Sequence, residues 1–322
     1  MKRLLVYIIA ISIMGFLGAW LFFSFAYNPH NRNDMSNFEF LLSNKDSFDI
    51  IALGSSRTQT MVNPIIIDSI SGLNSFNFGL DAVGILELRM LLLKFLQIHP
   101  KPLLILLNID YNGFYSKGFL YNTTDYYKYL NDSIINHALC PYNINYGNYF
   151  VRKANELSRM FGSTDNEKSN TLFKHANNKL NGFHNYPNNK GFLATETIWN
   201  EKSEKSLNLK LNALYDEQGF FLFKDFIGIC KKNSIKLILV HAPILNSIRD
   251  HIINYDEILK RVKNISIETE TPYWEYDTMK ICSDKKYFTD LNHLNINGAN
   301  IYSTQLAIDI KKFISEKNIF KN

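Results

Sequence analysis

The sequence predicts an α/β fold in which a parallel sheet carries helices on both faces, and three observations predict it. Short, mostly apolar runs recur at 48–53, 102–110 and 235–240. Segments with helical periodicity, Gly84 to Ile98 and Phe220 to Lys232, precede the second and the third run. At their centres, 50–53, 103–107 and 237–240, the runs are apolar instead of alternating with polar residues, as strands buried on both faces are.

The first element of the chain is of another kind. From Leu4 to Tyr27 there is no charged residue, and Lys2 and Arg3 stand just before the run. As a helix it would extend about 36 Å, enough to cross a bilayer. A cleavable signal peptide should have a shorter apolar region of about 7–15 residues and a small-x-small site. This run is longer and ends in bulky aromatics, so the expectation is an uncleaved anchor over 4–27, with the N-terminus cytoplasmic by the positive-inside rule. No later run is long enough to return, so residues 28–322 are expected in the periplasm or outside the cell, after a polar linker from Asn28 to Asp34.

The run at 48–53 is the first strand and ends in Gly54-Ser55-Ser56-Arg57-Thr58. A serine at the C-terminal edge of a parallel strand lies where α/β sites are built, and backbone N–H groups of such a turn can face the same space as its Oγ. After the strand at 102–110 the rhythm breaks. From about 114 to 214 the chain is rich in Asn, Tyr, Lys and Ser with few long apolar runs, and it reads as an insertion into one domain. That segment is either a surface elaboration or a lid whose tyrosines face a sugar-like substrate. The strand at 235–240 runs into His241, again at the sheet edge. The last element, Ile296 to Ser315, keeps Ala299, Tyr302, Leu306, Ile310 and Phe313 on one face, with Asn295 as N-cap.

Composition narrows the function classes. The 35 basic and 30 acidic residues leave a formal charge of only +5, without a basic block, which argues against nucleic acid. Three cysteines, Cys140, Cys230 and Cys282, allow at most one bridge and show no metal-ligand spacing. No metal and no cofactor is expected. Just before the last helix comes Thr289-Asp290-Leu291-Asn292-His293. An Asp three residues before a His in one loop can accept the imidazole Nδ1–H, which fixes the tautomer and leaves Nε2 as a base toward a serine.

A Gly-x-Ser turn after the first strand, together with Asp-x-x-His near the C-terminus, resembles the SGNH or GDSL hydrolase family. The likeness is greatest to its membrane-anchored envelope branch, which includes alginate O-acetylation proteins and the D-alanyl transfer protein of teichoic acids. The resemblance implies a three-layer α/β/α sandwich, with Ser56 as nucleophile, His293 as base and Asp290 as the carboxylate that orients it. It implies oxyanion donors at the N–H groups of Ser56 and Gly79. The family's third block ends in an Asn whose side chain also donates, but Asp110 falls at that position. An ionised carboxylate cannot donate, so Asn108 or Asn112 substitutes or the donors are all backbone groups. Arg57 and His241 are candidate substrate contacts.

The expected activity is that of an extracytoplasmic serine acyl-ester hydrolase or O-acyltransferase acting on a cell-envelope or exported polysaccharide. Its partners would be the acylated or acceptor glycan, the membrane, and a membrane-bound O-acyltransferase or polysaccharide export protein. The alternative is a non-catalytic envelope protein of the same fold that binds glycan or scaffolds an export complex.

Overall fold

The computed structural model describes residues 7, 14–15, 36–115, 126, 129–139, 189–200 and 210–317. The chain divides into two compact units, residues 1–34 and 35–322. In the first unit only Tyr7, Met14 and Gly15 are described, and they are helical. The anchor expected over residues 4–27 otherwise lies outside the described residues, among which no helix is long and apolar enough to cross a membrane.

The second unit is built on a five-stranded sheet: β1 Ile50–Leu53, β2 Ser75–Asn77, β3 Leu104–Asn108, β4 Lys236–His241 and β5 Tyr273–Glu275. The order is β2-β1-β3-β4-β5, and every pairing is parallel. The helices are α1 Ser36–Ser43, α2 Ser56–Met61, α3 Pro64–Ser71, α4 Ile85–Ile98, α5 Ser133–Leu139, α6 Glu217–Lys232, α7 Tyr255–Glu268 and α8 Ile296–Glu316.

The three central strands, β1, β3 and β4, are apolar on both sides because each side faces a separate core. Ile51 and Leu53 of β1, Ile105 and Leu107 of β3, and Leu237 and Leu239 of β4 join one core with Phe95 of α4, Phe223 of α6 and Ile258 of α7. Their neighbours Ile50, Ala52, Leu106, Ile238 and Val240 join the other, with Ile67 of α3 and Tyr302 and Leu306 of α8. This strict alternation with period two fixes the register, since a slip of one residue would exchange the two faces. The result is helices, sheet, helices in three layers.

The expected insertion lies partly outside the described residues, and the parts inside them do not behave as a surface elaboration. Tyr126, Leu130, Ile135 and Leu139 are buried in the first core, and the Tyr126 ring packs edge-on against Phe38 at 5.5 Å between centroids. Residues 189–200 reach β2 and α2: Asn77 N–H donates to Lys190 O at 2.9 Å, and Leu193 N–H donates to Gln59 O at 2.8 Å. Aromatic and β-branched residues scattered without period hid these contacts. Of the cysteines, Cys230 and Cys282 are buried free thiols, and burial pushes them up to about 12 and about 11 respectively.

One buried acid has a measurable consequence. Glu87, in the first turn of α4, accepts from Gly84 N–H at 3.1 Å and is 2% exposed. Burial raises its carboxyl to about 7, although backbone N–H groups oppose the shift. The folded state therefore holds this proton more tightly than the unfolded chain, where the acid ionises near 4.5. Its contribution to stability is full below that value and is lost as pH rises toward 7. The Glu87→Gln variant keeps the cap and removes the titration. In urea unfolding at pH 4.5 and 8 it is expected to gain about 3 kcal/mol on the wild type at the higher pH relative to the lower.

Candidate active site

In a parallel sheet of this order, a crevice opens outside the C-terminal ends of β1 and β3, where successive connections leave toward opposite faces. Ser56 follows β1 and Asp110 follows β3, so both stand at that crevice. Gly54 and Ser55 link β1 directly to α2. Ser55 has extended backbone (φ −80°, ψ −161°) and caps α2, its Oγ accepting from Arg57 N–H at 3.3 Å. Ser56 is thereby the first helical residue, half-buried. Its own N–H is one of the donors that a helix cannot satisfy internally.

The opposite wall is the loop from Phe288 to Leu294. These two fully buried side chains anchor its ends and form an antiparallel bridge, while Asn295 caps α8 by accepting from the N–H groups of Asn297 and Gly298, both at 3.1 Å. Inside the loop, Asp290 Oδ1 accepts from the N–H groups of Asn292 at 2.8 Å and His293 at 3.0 Å. That turn brings His293 Nδ1 to 2.9 Å from both carboxylate oxygens. On the other side of the ring, Nε2 lies 2.8 Å from Ser56 Oγ. Since Asp290 can only accept when ionised, Nδ1 carries the proton and Nε2 offers its lone pair to Ser56 O–H. Desolvation pushes the Asp290 carboxyl up, but the hydrogen bond and charge of His293 and the two backbone N–H groups outweigh it, leaving the acid below its ordinary value.

Ser56 and His293 open on a cavity of about 290 Å³, lined also by Ala82, Val83, Tyr111, Tyr115 and Leu214. Tyr111 O–H donates to Asn292 Oδ1 at 2.8 Å and so ties the exit of β3 to the histidine loop.

The remaining expected site residues are placed differently. Gly79 N–H donates to Asn77 Oδ1 at 2.8 Å, so it is not free for an oxyanion. Its glycine identity has another cause: a Cβ there would overlap the backbone N of Gln59 in α2. Gly79→Ala is therefore expected to push α2 away and lower stability by about 1–3 kcal/mol in chemical denaturation. Asn108 is 5% exposed and does not line the cavity; its Oδ1 accepts from Ala242 N–H at 3.3 Å and its Nδ2 donates to Asp110 Oδ1 at 3.4 Å. It staples β3 to the exit of β4. His241 is fully buried, with Nδ1 at 3.1 Å from Ile109 O and Nε2 at 2.7 Å from Tyr255 Oη. Desolvation, then the nearby Arg57 charge, lowers it to about 4, so it is a neutral internal histidine and not a substrate contact. Arg57 reaches the cavity wall but is 3% exposed, and its Nη atoms are taken by Asp110 at 2.5 Å and by the carbonyls of Ala242 and Pro243 at 2.8 and 3.2 Å. Both Nη atoms thus face protein acceptors, while among the described residues the buried Nε has no hydrogen-bond partner.

One residue escaped the sequence reading. Ala82 lines the cavity with a left-handed backbone (φ 52°), and among the described residues its N–H has no partner. An alanine in that conformation is uncommon and is held there by its surroundings. Nothing in its residue type signals this; a glycine would have.

No family model and no curated protein matches the chain. Among solved structures, it is similar to a protein of Bacteroides fragilis described as a "putative acylhydrolase", with 13% identity over 87% of this chain and 96% of that one and a TM-score of 0.40.

Proposed function

We propose that this chain is an SGNH-type serine enzyme that cleaves or transfers O-acyl groups of an envelope or exported polysaccharide outside the cytoplasm. The observation that carries the reading is the continuous chain Ser56 Oγ, His293 Nε2, His293 Nδ1, Asp290, with contacts of 2.8 and 2.9 Å, opening on a cavity. Its siting outside the cytoplasm rests on the uncharged residues 4–27 behind Lys2 and Arg3. An acyl-exporting membrane protein is the partner class such an anchor would serve.

In this reading His293 Nε2 takes the Ser56 proton as Oγ attacks the acyl carbonyl. The N–H of Ser56 and that of Ala82, a cavity-lining residue, are the candidate donors to the oxyanion. Collapse breaks the ester bond, and Nε2 hands its proton to the departing sugar oxygen, leaving acyl-Ser56. Water or a second sugar hydroxyl then gives its proton to Nε2 while attacking the acyl carbon, and Ser56 Oγ leaves with that proton.

The test is turnover of p-nitrophenyl acetate and of an acetylated glycan by the full chain, the Ser56→Ala variant and the His293→Ala variant. Activity is expected in the wild type alone, with an acyl mass increment on the Ser56 peptide after quenching. Equal activity in all three, or none with any acyl donor, rejects the enzyme and leaves the glycan-binding alternative. Release of the increment by an added sugar faster than by water would mark a transferase.

A further inference from the structure

The two residues that flank Ser56 in the chain share one partner. Ser55 Oγ–H donates to Asp110 Oδ2 in a short hydrogen bond, and Arg57 Nη1 donates to Asp110 Oδ1 at 2.5 Å. Arg57 is further held by the carbonyls of Ala242 and Pro243, just past β4. The nucleophile turn after β1 is thus tied through one carboxylate to the exit of β3 and through one guanidinium to the exit of β4. Asp110 itself lines the cavity beside Ser56 and His293.

We propose that Asp110 and Arg57 are the positioning pair of this site. Asp110 holds the turn so that Ser56 Oγ meets His293 Nε2, and Arg57 cancels the carboxylate's charge at the point where negative charge develops on the substrate. The inference rests on the reading of Ser56 as nucleophile. A carboxylate at the cavity wall without its counterion would repel the oxyanion, since like charges beside a partly buried wall interact more strongly than in water. The ion pair is also well buried, with side-chain exposures of 4% and 13%, and neither member is free to bind a ligand through the atoms it uses. This accounts for an aspartate where a donating asparagine was expected: its role is to accept from both neighbours of the nucleophile.

The pair makes a prediction about the order of variants. Removing one partner leaves a lone buried charge, whereas removing both leaves none. Arg57→Met is expected to lower kcat by about 10³-fold, because both the geometry and the charge balance are lost. Adding Asp110→Asn to it should restore kcat at least about tenfold, with KM within about threefold of the wild type throughout. Ser55→Ala keeps the ion pair and should lower kcat about tenfold, and Ser55→Thr, which restores the hydroxyl, should recover it. All rates are taken per folded molecule, below the melting temperature of each variant. A double variant no faster than Arg57→Met, or losses that appear in KM alone, or a Ser55→Thr as slow as Ser55→Ala, overturns the proposal. Should the wild type turn over no ester, the acyl-transfer reading fails by itself. Crystal structures of Arg57→Met and of the double variant then decide the pair: Ser56 Oγ displaced from His293 Nε2 in Arg57→Met, and closer to it again in the double variant, supports it, and the 2.8 Å contact retained in Arg57→Met, or a displacement no smaller in the double variant, overturns it.

Discussion

Replacing Ser56 by alanine is expected to lower kcat/KM for an acyl ester by about 10⁶-fold while leaving the protein folded. Among the described residues Ser56 Oγ bonds only to His293 Nε2, and the residue is half-buried at the crevice, so the deletion leaves neither a core cavity nor an unpaired buried donor. The stability change should stay within about 1 kcal/mol, the worth of one hydrogen bond. His293→Ala should lose activity to the same extent, and the double variant no more than either, because the two groups act on one proton. Initial rates paired with thermal melts of the three variants check this. Losses that add, or a variant retaining a tenth of the wild-type rate, would mean that hydrolysis does not pass through this serine.

Much of the scaffold behind that prediction was legible because burial on both faces leaves an unmistakable mark. The runs at 48–53, 102–110 and 235–240 became β1, β3 and β4, the three central strands, and Gly84 to Ile98 became α4 with Gly84 as its cap. Asn295 caps α8 as its position suggested. The edge strands were harder. Tyr273–Glu275 is three residues long and partly exposed, and Ser75–Asn77 is polar at both ends, so neither yields an apolar run. Their strand state comes from pairing with β4 and β1, a tertiary effect with little local signature.

The site divides along the same line. Asp290 and His293 are three residues apart, and an Asx-type turn brings them together from local sequence alone. Ser56 was legible as a strand-end serine. What sequence could not convey is which N–H groups are already occupied: Gly79 is a glycine for the closeness of α2, and the Asn77 side chain consumes its N–H. Arg57 and His241 likewise stand at the sheet edge as expected, but their side chains turn into the protein because Asp110, Ala242, Ile109 and Tyr255 offer partners from other strands and helices. Position along a strand was predictable; the direction of a long polar side chain depends on partners scattered along the sequence.

Asp290→Asn is the sharper test of the triad, because it alters one atom and leaves the loop intact. Oδ1 of Asp290 accepts from two backbone N–H groups, and both of its oxygens lie 2.9 Å from His293 Nδ1. An asparagine must keep its own Oδ1 on the backbone N–H groups, so its NH₂ faces the imidazole. Nδ1 then becomes the acceptor, the ring proton moves to Nε2, and Nε2 can no longer take the Ser56 proton. The expected loss is about 10⁴-fold in kcat, with little change in KM. The same substitution removes a pH dependence. Because the Asp290 carboxyl is held below its ordinary 3.8, it stabilises the fold above that value, and the contribution is lost as pH falls through its lower folded-state pKa. The wild type should therefore lose more stability than Asp290→Asn between pH 5 and pH 3, read as the difference in melting temperature. A variant that kept the wild-type rate at neutral pH would show that the orientation of His293 does not depend on this carboxylate, and equal losses of melting temperature in the two proteins would trace the acid limb to another group.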